Sequence, residues 1–271
     1  MIHWIASYPR SGNTLVRTLL KQCFGVDSFE RELSGKRLLS AAVHDLIGHR
    51  FIEQTGARDW EDFYREASRT AEPVFVKTHR PPEDDQPAIY VLRSGRAAVL
   101  SYFDYLGWAF PDAGRSLVDL IVGNDSYGDW TSHYRSWAPD RRPGTMILRY
   151  EALLEERPAG RPHSASGGPA ARRSAEETAT ASFPREPDRE IARLAAFLPL
   201  AARPLPWRNP FDRLRELEPR FFRRGRATWV SDPRWTKPVE QLFLACHGSL
   251  MEQLGYASPE EEAFAGSDGG H

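Results

Sequence analysis

The segment 3-HWIASYPRSGNTLVRTLL-20 decides the fold. Its first residues, with Ile2 just before them, make a short apolar run, Ile2 to Ser7, rich in strand formers. Leu15, Leu19 and Phe24 then recur at helical spacing. Between them lies Pro-Arg-Ser-Gly-Asn-Thr, so the chain reads as a buried strand, a tight polar loop and a helix. The backbone amides of Ser11, Gly12, Asn13 and Thr14 would open that helix, where unpaired N–H groups and the helix dipole favour an anion. Gly12 permits close backbone approach, and Arg10 adds a forked cation. The loop lacks the Walker A pattern. Taken alone, the same residues would also serve a plain capped turn.

Outward from this segment, 73-PVFVK-77, 88-AIYVLR-93 and 145-TMILRY-150 read as further buried strands. The third strand runs directly into SGRAAVLSYFDYLGW, a helix with Ser94 as its N-cap candidate. Residues 28–70 read as mostly helical with a breaker at Gly56, and 127-YGDWTSHYRSWA-138 as an aromatic helix. Continuous apolar strands alternating with helices predict an α/β fold with a central parallel sheet flanked by helices on both faces. Ligands of such sheets sit beyond the carboxyl ends of the strands, which is where YPRSGN, KTH and RSG all fall.

Residues 158–187 are dominated by small residues, Pro and Gly, and read as a flexible insertion. Residues 257–271 read as a disordered acidic tail. The rest, within 1–256, is expected to be one domain. The chain has 271 residues and 41% hydrophobic content, enough for such a core. Its formal net charge of -1 gives no general nucleic-acid footprint. Two cysteines without metal-like spacing predict a buried reduced thiol at Cys23 and no metal centre. With no leader pattern and no apolar run of transmembrane length, a soluble cytoplasmic protein is expected.

Three constellations carry chemistry. The first loop is one. In the second, Lys77 and His79 stand at i and i+2 at a strand end, so both should project to one side. A histidine there is suited to take a proton near neutrality, and a lysine to stabilise developing negative charge. In the third, Arg93 ends a strand and Ser101 follows two helical turns later, a pair able to grip a second phosphate. Arg223, Arg224 and Gly225 add a basic loop flanked by aromatic residues.

In this order the motifs resemble one family, the sulfotransferases that use 3′-phosphoadenosine 5′-phosphosulfate (PAPS) and release adenosine 3′,5′-bisphosphate (PAP). YPRSGNT resembles the family's 5′-phosphosulfate loop, YPKSGTTW, and KTH its catalytic strand end. YVLRSGRAAVLSY is similar to its 3′-phosphate motif. YGDWTSHYRSW matches a family helix of the form YGSWxxHxxxW, RYE resembles FYED, and RRGRATW resembles RKGxxGDW. The likeness runs from residue 2 to about residue 256, interrupted by the insertion.

The resemblance implies roles. His79 would be the general base, while Lys77 and Arg10 would neutralise the transferring group and the leaving phosphate. Ser11, Gly12, Asn13 and Thr14 would hold the 5′-phosphosulfate. Arg93, Ser101, Arg223, Arg224 and Gly225 would hold the 3′-phosphate, and Tyr150 and Phe211 would contact adenine. The acceptor would be a small-molecule hydroxyl, with an amine as the alternative. The aromatic residues Tyr105, Trp108 and Phe110 suit a phenolic, macrocyclic or lipid-like one. Trp130 and Trp137 are expected in the core, and His133 in a structural role. Three departures stand out: Arg10 replaces the family's lysine, Leu15 its tryptophan, and Ala227-Thr228-Trp229 its Gly-Asp-Trp. The dimerisation signature of the animal cytosolic members is not recognisable. An ATP-dependent P-loop-like kinase and a non-catalytic nucleotide-binding protein remain as alternatives. The first lacks the Walker motif and a magnesium-binding aspartate. The second does not account for Lys77 and His79.

Overall fold

A computed structural model of the protein describes residues 1–31, 39–154, 186–200, 203–222, 229 and 232–256. The first strand, β1 (Ile2–Ala6), leads through the Ser7–Gly12 loop into helix α1 (Asn13–Phe24). A short strand, β2 (Ser28–Glu30), follows, then α2 (Ala41–Ile47), α3 (Trp60–Arg69) and β3 (Val74–Thr78). β4 (Ala88–Leu92) runs into α4 (Gly95–Ala109), and α5 (Leu117–Val122) and α6 (Trp130–Trp137) precede β5 (Thr145–Arg149). The C-terminal part contributes α7 (Glu186–Phe197), α8 (Phe211–Leu217) and α9 (Lys237–Gln253).

The sheet is parallel throughout, in the order β2-β3-β1-β4-β5. Its strands are buried on both faces, and alternate residues serve opposite covers. Ile2, Trp4, Ala6, Val76, Ala88, Tyr90 and Leu92 pack with residues of α3, α4, α5, α6 and α9. Ile5, Phe75, Ile89, Val91 and Leu148 pack with α1 and α7. β1 is central, with β3 on one side and β4 on the other, so the chain crosses the sheet in opposite directions from it. That places the loop after β1 at the topological switch point, where the strand ends leave a crevice.

The reading of residues 28–70 as mostly helical is corrected by β2. Ser-Phe-Glu is too short to show a period, and its strand character comes from pairing with β3. The last two residues of the expected insertion, Glu186 and Pro187, belong to the first turn of α7, where a proline needs no amide partner. The remainder of the insertion and the 257–271 tail lie outside the described residues. Cys23, on α1, is buried in the core between that helix and the sheet, and Trp130 and Trp137 are in the core on the other face. Among the described residues, no helix is long and apolar enough to cross a membrane.

Candidate active site

The loop after β1 is built around two left-handed residues, Arg10 at φ 63° and Gly12 at φ 105°. Gly12 has a second reason to lack a side chain. A Cβ there would run into the Tyr150 ring, with Cε2 and Cγ only 3.2 and 3.3 Å away. Tyr150 therefore closes directly over the glycine, and Arg93 stacks on the same ring with its guanidinium carbon 4.4 Å from the centroid. Arg93 Nη1 donates to the Arg10 carbonyl at 2.9 Å, which holds the unusual Arg10 conformation. The end of β4, the end of β5 and the first loop are thus locked together.

Within this arrangement several buried polar atoms find no hydrogen-bond partner: Ser11 Oγ, Arg93 Nε, Tyr8 Oη and Asn13 Oδ1. Leaving a buried polar group unmet costs about 1–3 kcal/mol, and two of these, Ser11 Oγ on the loop and Arg93 Nε at the end of β4, are donors that an anion would satisfy. The Asn13 side chain has a structural part. Its Nδ2 donates to the Ile5 carbonyl at 2.8 Å and to Ser7 Oγ at 3.3 Å, bracing the loop from beneath. Thr14 opens α1 beside it, its carbonyl accepting from Thr18 Oγ1 at 2.8 Å.

Arg10 reaches sideways. Its Nη2 donates to the Phe221 carbonyl at 2.8 Å, and its Nε points at Ser101 Oγ at 3.5 Å. The guanidinium lies over Phe221 (4.4 Å) and Tyr105 (5.2 Å). Tyr105 contacts Trp108 and Phe110 edge-on, at 6.1 and 5.9 Å between centroids, and Phe221 at 5.9 Å. The three aromatic residues picked out in the sequence therefore form one half-buried cluster, with Arg10 at its inner end. Burial raises the Tyr105 phenol, and the nearby Arg10 and Lys77 charges pull it back.

Lys77 and His79 take different partners. β3 ends at Thr78, and His79 follows it directly. Lys77 Nζ donates to Glu30 Oε1 on β2 at 2.7 Å. His79 turns towards β1, where its Nδ1 lies 2.7 Å from the Ser7 carbonyl. A carbonyl only accepts, so Nδ1 carries the proton and Nε2 is the basic nitrogen. The His79 ring also meets Tyr127 edge-on at 5.6 Å.

The backbone of His79 is fixed from α6. Tyr90 Oη donates to His133 Nδ1 at 2.9 Å, and His133 Nε2 donates to the His79 carbonyl at 3.0 Å. Trp137 Nε1 donates to the Arg80 carbonyl at 2.9 Å. The histidine and tryptophan of the YGDWTSHYRSW helix thus hold the KTH turn in place. Glu151 of the RYE segment accepts the Ser94 amide at 2.9 Å, and so caps the start of α4. Ser94 itself makes no side-chain cap.

Phe211 lies apart from Tyr150, packed with Val43, Ile47, Leu214 and Phe222 between α2 and α8. Leu15 sits in the core beside Tyr150. Arg223, Arg224 and Gly225 lie outside the described residues. Both flanks of their stretch are anchored: Phe222 is buried against α8, and Trp229 is buried beneath the Arg96 guanidinium. Sequence reasoning missed Glu30, Tyr8, Phe221 and Arg96. Arg96 could have been found, since it follows directly on the RSG motif. Among the described residues, no group of three or more His, Cys, Asp or Glu is placed to hold a metal ion.

The family model of the sulfotransferase domain matches residues 3–160. Sulfotransferase 1B1 of Canis lupus familiaris is 26% identical over 172 residues, covering 57% of this chain and 54% of its own length. Sulfotransferase 1 family member D1 of Mus musculus is 23% identical over 167 residues, with the same coverage of 57% and 54%. The chain thus spans about half the length of these curated relatives. Among solved structures, mouse sulfotransferase SULT7A1 complexed with PAP superposes with a TM-score of 0.55 at 13% identity, over 94% of this chain and 88% of that one. Retinol dehydratase in complex with androsterone and inactive cofactor PAP gives 0.51 at 16% identity, over 95% and 81%. Such structural likeness speaks for the fold, and the family match covers more than half of the chain: this protein belongs to the sulfotransferase domain family.

Proposed function

We propose that the protein transfers the sulfuryl group of PAPS to a hydroxyl of a small-molecule acceptor. The observation that carries this reading is a pair of orphaned buried donors, Ser11 Oγ on the first loop and Arg93 Nε at the end of β4, which that loop is locked to through the Arg10 carbonyl. Both belong to the strand-end rim at the sheet's switch point, and both can donate to an anion.

The donor's 5′-phosphosulfate fits the Ser11–Thr14 loop, and Arg93 with Ser101 suits its 3′-phosphate, together with Arg223, Arg224 and Gly225. Tyr150, which packs on Gly12 beneath Arg93, is the nearer candidate for contact with adenine, and Phe211 is the more distant one. The acceptor would enter past Tyr105, Trp108 and Phe110. Its hydroxyl oxygen attacks sulfur, the bond from sulfur to the 5′-phosphate oxygen breaks, and the hydroxyl proton passes to His79 Nε2. PAP departs with the electron pair of the broken bond. The Ser7 carbonyl fixes the tautomer this requires, and it stabilises the imidazolium that forms. Lys77 and Arg10 offset the charge that builds on the sulfuryl and phosphate oxygens. The step needs alignment and charge stabilisation from this chain's own side chains.

Incubation with radiolabelled PAPS and a panel of phenols, alcohols and amines should give a labelled product and stoichiometric PAP. His79→Ala should lose turnover while binding PAP as the parent does. Near-normal turnover in that variant would remove His79 as the base, and failure of the parent to bind PAP would remove the donor.

A further inference from the structure

Glu30 and Lys77 are register partners on the parallel strands β2 and β3. Partner side chains on neighbouring strands project from the same face, and here they meet. Lys77 Nζ donates to Glu30 Oε1 at 2.7 Å, with the lysine side chain 11% exposed and the glutamate 25%. The second carboxylate oxygen, Oε2, faces Arg17 Nη1 and His49 Nδ1, each at 3.9 Å. Arg17 is buried and itself fixed. Its Nε donates to Ser28 Oγ at 2.8 Å, and its Nη2 donates to His49 Nδ1 at 2.6 Å.

Arg17 therefore braces the glutamate from behind, since His49 Nδ1 accepts from Arg17 and has no proton to offer the carboxylate, and the other glutamate oxygen meets the lysine. The carboxylate takes one of the three donors of the ammonium and neutralises its charge at short range. Lys77 can offer all three donors and its unshared charge to an anion only by giving up this partner.

We infer that Glu30 is a positioning residue for Lys77: it holds the ammonium at the rim until an anionic nucleotide draws it away, and so sets how tightly the site retains that nucleotide. The inference rests on the proposed PAPS reading. Its consequence is directional. Without the carboxylate, the nucleotide no longer competes for Lys77, and PAP should bind more tightly.

PAP binding is measured by calorimetry on the full chain, for the parent, Glu30→Gln, Lys77→Met and the double variant. Glu30→Gln should tighten PAP on the order of ten-fold, the effect of removing one nearby competing charge. In the Lys77→Met background the same change should give less than about two-fold, because its action passes through the lysine. Glu30→Asp, which keeps the charge, should stay near the parent. Glu30→Ser provides a second neutral variant should the glutamine form fail to fold, and it should tighten PAP likewise. Unchanged or weaker PAP binding in the neutral variants overturns the inference while leaving the donor reading intact. Equal tightening in both lysine backgrounds also overturns it, since the effect would then be bulk charge. If the parent binds no PAP, the donor reading fails and the inference falls with it.

Discussion

Gly12→Ala tests how the first loop is built. Two costs are separable. The residue sits at φ 105°, ψ 15°, where an L side chain is strained by about 1–2 kcal/mol. The added Cβ would also press into the Tyr150 ring, whose Cε2 and Cγ lie 3.2 and 3.3 Å from its position. Overpacking of this kind costs about 1–3 kcal/mol. The ring cannot retreat easily, because Arg93 stacks on it and Leu15 packs in the same cluster. Together the costs come to about 2–5 kcal/mol. At roughly 2–4 °C per kcal/mol for a domain of this size, the melting temperature should fall by roughly 5–15 °C. Gly25→Ala is the control. Gly25 also has a left-handed φ, 69°, but nothing lies within 4 Å of an added Cβ, so only the backbone cost applies. Thermal and urea unfolding of both variants, repeated in a Tyr150→Leu background, isolates the contact. There, Gly12→Ala should cost no more than Gly25→Ala does. The reasoning fails if the two glycine variants unfold alike with Tyr150 present, or if removing the ring brings no relief.

Other perturbations follow from the same contacts. His133→Ala releases the His79 carbonyl, and a shift of about 1 Å in the base can cost 10²-fold in rate; turnover should fall about ten- to hundred-fold while PAP affinity measured by calorimetry stays within about two-fold. Arg96 is buried and pairs with Glu240 at 2.9 Å, and Glu240 also accepts from Trp235 Nε1 at 2.7 Å. Arg96→Met leaves that carboxylate without its cation and should cost about 3–5 kcal/mol, read from the urea midpoint, with part recovered when Glu240→Gln is added. Burial and the Arg17 charge push the His49 imidazole down to about 3, and burial also lowers His3 and His247. The unfolded chain takes up these protons near the usual histidine value of 6.5, and the folded chain does so only at lower pH. Stability should therefore decline as pH drops from about 6.5 towards 3, and His49→Gln should make the decline shallower in pH-stepped urea titrations.

Much of the architecture was legible because the long strands are continuous apolar runs. Such runs, alternating with helical patterns, admit few arrangements other than a parallel sheet with both faces covered. β2 was not legible. Three residues carry no period, and Ser28–Glu30 is a strand because β3 lies beside it. Missing β2 meant missing Glu30, the partner that fixes Lys77. Nor could local spacing name the partners of Lys77 and His79, which lie on β2 and just after β1 and are brought beside β3 by strand order.

The sequence by itself determined the strand, loop and helix of residues 2–24, the rim of polar residues at the strand ends and the family resemblance. All of these depend on spacing within a few residues. Tertiary structure alone decided which residues meet. Arg10 lies on Phe221, 211 positions away in sequence, and Tyr150 closes over Gly12. His133 and Trp137 pin the turn that carries His79 from across the sheet. These contacts are set by strand order and register, and by the close packing of helices on the sheet. No local periodicity encodes either one.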